Sequence, residues 1–256
     1  MLLRRITEHV KSQNWTAVGL DFIIVVVGVF IGIQVSNWND ARVENALAET
    51  YLARLHEDVT HDIEALTRRM EFWDEVIDYG ELAIRYAESG DLGKHSGWDV
   101  FVAFYQASQI WKYSASDPTY EELKGGEQMA LIRDNDLRQA LVEYYEDLDR
   151  RAEDLYALNP EYRRIIRAKT PYEMQLYIWE NCHIGDGAEQ ELLDCQPPAT
   201  EVDIASVLDS YVAEAQILES LRFWIINLSI TRGQGIKELR RLEVLSETLS
   251  QARGQS

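Results

Sequence analysis

Strand patterning is missing from this sequence. No stretch alternates apolar and polar residues as a half-buried strand does, and no repeat or low-complexity segment is present. The expected fold class is therefore all-α. Basic residues are also scarce, with 25 Lys and Arg against 44 Asp and Glu in 256 residues, a formal net charge of -19. That sign repels nucleic acid and anionic headgroups, so no nucleic-acid partner is expected. Catalytic signatures are absent as well. There is no Gly-x-Ser-x-Gly, phosphate-cradling loop or dinucleotide fingerprint. His95 and His183 stand without a paired nucleophile motif, and carboxylates are too abundant for spacing to single out a catalytic pair. No catalytic or cofactor-binding residue is named, and no enzymatic activity is expected.

What the chain does have is one long apolar run near its start, "NWTAVGLDFIIVVVGVFIGIQVSNWND", Asn14 to Asp40. From Val18 to Val35 its only ionisable residue is Asp21. About 18 to 20 apolar residues in a helix match the hydrocarbon thickness of a bilayer. Trp15 and Trp38 bracket the run, roughly 35 Å apart at the helical rise, as interface anchors would be. A cleaved signal peptide is the alternative, but its apolar region is shorter and ends at a small-x-small site, whereas this run exits through Ser36-Asn37-Trp38. Arg4, Arg5 and Lys11 precede the run, and Arg42 stands alone after it beside Asp40 and Glu44. The basic flank places the amino terminus in the cytoplasm. Asp21, Gly28 and Gly32 share a helical face. Gly28-Val-Phe-Ile-Gly32 is a small-xxx-small pair that lets two such helices pack closely, with the acid solvated or paired across the interface.

The expected layout is a cytoplasmic tail over residues 1–15, a membrane anchor over 16–38, and a periplasmic helical domain over 39–256. Setting aside Arg4, Arg5, Lys11, Glu8 and Asp21 leaves 22 basic against 42 acidic side chains outside. The only two cysteines, Cys182 and Cys195, fall in this external part, where thiols are oxidised. A disulfide between them would close a loop containing Gly185 and Gly187, contributing about 3 kcal/mol in the chain-entropy model. A metal site of Cys182, His183, Asp186 and Cys195 competes with it, but lacks the short ligand spacings of zinc sites.

Within the external part apolar residues recur at steps of three and four. Leu52, Leu55, Val59, Ile63, Leu66, Met70, Trp73, Ile77, Gly80, Ile84 and Ala87 predict one helix over 44–89, ended by Ser89-Gly90-Asp91. The four-and-four step from Leu55 to Val59 to Ile63 departs from a strict coiled-coil heptad. A bundle over 97–252 follows. It comprises an aromatic-rich helix over 98–114, a short helix over 119–124, and a helix over 135–158 capped by Asn135 or Asp136, with Leu148, Leu155 and Leu158 among its inward residues. Short helices begin at Pro160 and Pro171, the cysteine segment is an irregular loop, and two last helices span 202–230 and 236–249, separated by Gly233 and Gly235.

"LHEDVTHDIE", Leu55 to Glu64, begins like a zinc-protease pattern, but its histidines are five residues apart. His56 and His61 therefore lie about 140° apart around a helix and cannot chelate one ion. Glu57, Asp58 and His61 do share a face. They are the metal candidates on this helix, and salt-bridging on a solvated surface explains them as well.

Two stretches, "DFIIVVVGVFIGIQVSNWN" followed by "YLARLHEDVTHDI", and "TYEELKGGEQMALIRDNDLRQALVEYY" from Thr119 to Tyr145, resemble a family of uncharacterised single-pass bacterial membrane proteins known as a domain of unknown function. Relatives tend to have Ser-Gly where this chain has Gly125-Gly126. The resemblance implies a bacterial inner-membrane protein and supplies no catalytic residues. Together these readings lead to a membrane-anchored periplasmic binding or scaffold module acting through helix–helix contacts, with a second copy or a helical protein as partner. A ligand sensor whose aromatic helices enclose a pocket, and a metal-dependent hydrolase at Glu57, Asp58 and His61, are the alternatives.

Overall fold

The structure, a computed structural model, describes residues 15–151, 160–185, 189–199 and 203–254, the side chains of 15–18 and 147–151 excepted. Its described residues form eight α-helices, one 3-10 turn and a two-stranded hairpin. In chain order the elements are α1 (Trp15–Ser89), α2 (Gly97–Gln106), α3 (Pro118–Gly125), α4 (Asn135–Arg151), α5 (Glu161–Lys169), α6 (Tyr172–Asn181), β1 (His183–Gly185), β2 (Gln190–Leu192), α7 (Ile204–Val212) and α8 (Ala215–Arg253). The fold is all-α, as expected from the patterning. Packing divides the chain into two units, one running through Tyr51 and the other from Leu52 to Gln255.

The first unit holds the apolar part of α1. No residue of its apolar window is buried, and it is the one described helix long and apolar enough to cross a membrane. The second unit has its own core. Here α1 buries Phe72 and, in one row, positions 52, 55, 59, 62, 66, 73, 76, 80 and 83. That is a regular four-three alternation, with half-buried Arg69 completing it. Sequence reading placed Ile63 on this face, but the fully buried residue is its neighbour Asp62. α1 ends where expected, with Gly90 in the left-handed region (φ 69) and its N–H on the Tyr86 carbonyl at 2.8 Å.

α8 runs antiparallel to α1. Arg222 pairs with Glu88, Arg232 with Asp74, and Ser246 approaches His56. At Gly80 and Gly235 side chains of the facing helix occupy the space a Cβ would take. A Cβ at Gly80 would collide with Ile225 Cδ1, and one at Gly235 would stand 3.2 Å from Met70 Sδ. The expected break at Gly233 and Gly235 is therefore corrected. The helix continues through both, because Gly235 is needed for close approach rather than for a turn. The break falls earlier, between α7 and α8, where the Ala213 N–H closes onto the Asp209 carbonyl. α4 and α5 pack on α8, and α7 covers α2.

Three further expectations change. The aromatic helix ends at Gln106 rather than Ser114. Beyond it a turn at Ala107 and Ser108 leads into a stretch without regular structure, buried through Gln109 and again at Trp111 and Tyr113, where side chains take the carbonyls that a helix would have used. The Trp224 indole donates to Ala107 O, Arg163 to Ser108 O, Trp73 to Trp111 O and Arg69 to Lys112 O. The cysteine segment is not irregular throughout, since β1 and β2 pair antiparallel with His183 opposite Leu192. Strands of three residues are too short to show alternation in sequence. Finally, α4 is capped by Asp134, whose Oδ1 accepts the N–H groups of Asp136 and Leu137. Leu148 has no described side chain, and Leu155 and Leu158 lie outside the described residues.

Candidate functional site

Asp62 occupies a core position of α1 and is fully buried. A carboxylate there requires partners, and two distant segments supply them. The backbone N–H of Ser116 donates to Oδ1 at 2.7 Å, and the Tyr144 hydroxyl of α4 donates to Oδ2 at 2.8 Å. The Tyr113 hydroxyl stands 3.3 Å from that of Tyr144. Next to it the Tyr145 ring stacks on Tyr120 of α3, centroids 4.5 Å apart. Burial pushes the Asp62 carboxyl up to about 6, with the Ser116 and Tyr144 hydrogen bonds and the His61 charge pulling the other way and Asp58 adding to the rise. Burial likewise drives the Tyr144 and Tyr145 phenols well above their ordinary range. Asp58 Oδ2 and the Tyr145 hydroxyl are buried without a hydrogen-bond partner.

This network joins two stretches far apart in the chain, 51–63 and 119–145. Asp62 lies in the first and Tyr120, Tyr144 and Tyr145 in the second, and at the rim Arg54 pairs with Glu122 at 2.6 Å. Chemically the arrangement can hold or release one proton near pH 6 in a water-poor place.

Glu57 and His61 are four residues apart and exposed, whereas Asp58 and Asp62 turn toward the tyrosines. Among the described residues no group of three or more His, Cys, Asp or Glu side chains is placed to hold a metal. The Glu57, Asp58 and His61 reading is corrected accordingly: the helix splits the trio between an outer and an inner face. Asp21, Gly28 and Gly32 are all exposed, and a Cβ at either glycine would meet nothing within 4 Å. Trp38 is exposed. The side chain of Trp15, the tail residues 1–14 and Asp186 lie outside the described residues.

Cys182 and Cys195 are bonded, with Cα atoms 5.1 Å apart. The bridge clasps the base of the hairpin, where Leu193 N–H also donates to Cys182 O and the Gln106 amide reaches the same carbonyl. His183 stacks on Trp179 and faces Gln190 rather than the sulfurs. The aromatic residues of α2 form core instead of a pocket wall: Phe101 and Phe104 pack on Tyr211, and Trp98 on Tyr177.

Sequence reading missed a cleft of ≈ 620 Å³ between the middle of α1, Trp111 and the hairpin. Arg68, Glu71, Phe72 and Glu75 face it from α1, and Glu189 and Glu191 from the other side. The spacing of the α1 residues marks a single helix face, but nothing local in the sequence indicates that a hairpin more than 100 residues away will cover it. No family model, curated protein or solved structure matches this chain.

Proposed function

We propose that this chain is a single-pass bacterial inner-membrane protein of the kind its two motif stretches resemble, with its amino terminus in the cytoplasm and a periplasmic domain that acts as a binding or scaffold module. The anchor reading is supported by the apolar window of α1, none of which is buried, and by basic residues before it. The compartment reading is supported by the Cys182–Cys195 bridge, which suits an oxidising space. The observation that carries the binding role is a second exposed apolar surface, on α8. Phe223, Ile226 and Ile230 recur at helical spacing and are 73%, 57% and 52% exposed. An apolar stripe of this kind on a folded domain marks a contact surface for another helix. In the membrane, Gly28 and Gly32 offer a close-packing face for a second copy.

The test is photocrosslinking in intact membranes, with the crosslinker placed at Phe223 or at Gly32. Trapping of a second copy or of one recurrent protein supports the module. A chain that stays uncrosslinked at both positions and runs as a monomer in detergent overturns it. A reporter fused after Arg253 that is active only in the cytosol would overturn the topology separately.

A further inference from the structure

α6 carries an apolar stripe of its own. Tyr172, Leu176 and Trp179 follow one another at helical spacing and are 72%, 43% and 47% exposed, while Met174 and Ile178 on the other side are buried. The stripe is held stiffly. The Trp179 ring stacks on His183 with centroids 4.2 Å apart. Tyr177 packs on Trp98, and its hydroxyl donates to Gln196 O. The helix ends at Cys182, which the disulfide ties to Cys195. A face ordered before contact loses little freedom in making one, and Trp and Tyr are enriched where proteins touch. An apolar face alone does not say what covers it. Here length and charge do.

The α6 stripe runs from Tyr172 to Trp179 and the α8 stripe from Phe223 to Ile230, each about 10 Å along its helix. Exposed charges flank the two stripes in opposite order. On the α6 side Lys169, which also pairs with Glu214, comes before the stripe, and Glu180 and Glu191 come after it. Neither α6 nor the hairpin strands contain Lys or Arg. On α8 Glu219 comes before the stripe, and Lys237, Arg240 and Arg241 come after it. The one acid among these bases, Glu238, is buried and paired with Arg241 at 3.4 Å. Laid side by side in the same direction, the two stripes cover each other and both charged ends meet their opposites. A second α8 in that direction would set Lys237 against Lys237 and Arg241 against Arg241, which repel. Within one chain both stripes are open to solvent.

We propose that the occupant of the α8 stripe is the α6 stripe of a second copy of this chain, the two helices running parallel. The inference rests on the reading of α8 as a contact surface and names its partner. Because the contact joins two different faces, each copy keeps one face of each kind unused. The contact is therefore heterologous, and it repeats from copy to copy.

The test places a photocrosslinker at Ile226 in cells making two differently tagged copies of the full-length chain, and reads the products from intact membranes. A product carrying both tags is expected, with Ile226 joined to peptide 172–181, together with products larger than pairs. Lys237→Glu with Arg240→Glu, both at exposed positions, should cut the yield at least about fivefold. Glu180→Lys with Glu191→Lys on the other copy should restore it. Melting of each variant shows that it is folded. Attachment of Ile226 to residues 223–244 of the second copy, a yield unchanged by the charge reversal, or no restoration by the swap overturns the proposal. Attachment to a different protein alone also overturns it, yet leaves α8 standing as a contact surface. No crosslink of any kind overturns both.

Discussion

Replacing Asp62 with asparagine isolates the cost of keeping a carboxylate in the core. The amide fits the same contacts: its oxygen can accept from the Ser116 N–H, and its nitrogen can donate to the Tyr144 hydroxyl. Only the charge is lost. Asp62 titrates at about 6 in the folded domain, against an ordinary value of 3.8. Between those values the folded protein holds a proton that the unfolded chain has released. The stability contributed by the neutral acid is therefore complete below about pH 4 and is lost as the pH rises through about 6. The gap corresponds to about 3 kcal/mol at neutral pH. For a domain of this size that amounts to about 6–12 °C in melting temperature. The chain has 44 acidic side chains, so only the difference between the two proteins reports on Asp62. The assay is tryptophan-fluorescence melting of full-length protein in detergent at steps from about pH 4 to about pH 8. A constant offset measures how well the amide fits, and the pH-dependent part measures the charge. The asparagine variant should gain on the parent as the pH rises, most steeply near pH 5, between the unfolded and folded values, and hold its advantage above about pH 7. Parallel curves across the window would show that Asp62 is not desolvated as its burial implies, and the reasoning would fail.

Tyr144→Phe removes the hydroxyl that donates to Asp62 Oδ2. It should cost about 1–3 kcal/mol at neutral pH and less in acid, with the apparent pKa of Asp62 moving further up in the same melts. Gly80→Val should destabilise by about 1–3 kcal/mol, because its side chain enters the space of Ile225. Adding Ile225→Ala should then cost less than that change alone, which a double-mutant cycle in urea would show. Reducing the Cys182–Cys195 bridge, or replacing both cysteines with serine, should lower stability by about 3 kcal/mol, read as paired melts with and without reductant.

The parts of this fold that could be read in the sequence are those set by neighbours in the chain. The apolar window of α1, the Ser89-Gly90 stop and the proline-led starts of α5 and α6 all follow from spacing and backbone preference. Ser96 and Asp99 also cap α2 reciprocally, a local signal that was available but passed over. The glycines near residue 233 misled for a definite reason. A glycine in a helix signals either a stop or a close approach, and only the partner tells which. At Gly235 the partner is Met70, on a helix far back in the chain.

The candidate site was hidden by a related cause. Counting apolar residues at steps of three and four selects Ile63, because Asp62 carries the wrong chemistry for a core. Yet the regular alternation of α1 passes through position 62. What allows an acid there is a backbone N–H 54 residues away and a phenol 82 residues away. Periodicity is a local measure, so it misassigns those core positions whose polar groups are satisfied from a distance. The same argument covers Trp111, which sits in a stretch held by side chains from α1, α5 and α8 although its local pattern predicts a helix. A polar residue that falls on the extrapolated register of a strong apolar face should therefore be kept as a core candidate. In this chain that rule would have singled out Asp62 and Arg69, one at the centre of the tyrosine network and the other 3.4 Å over the Trp111 ring.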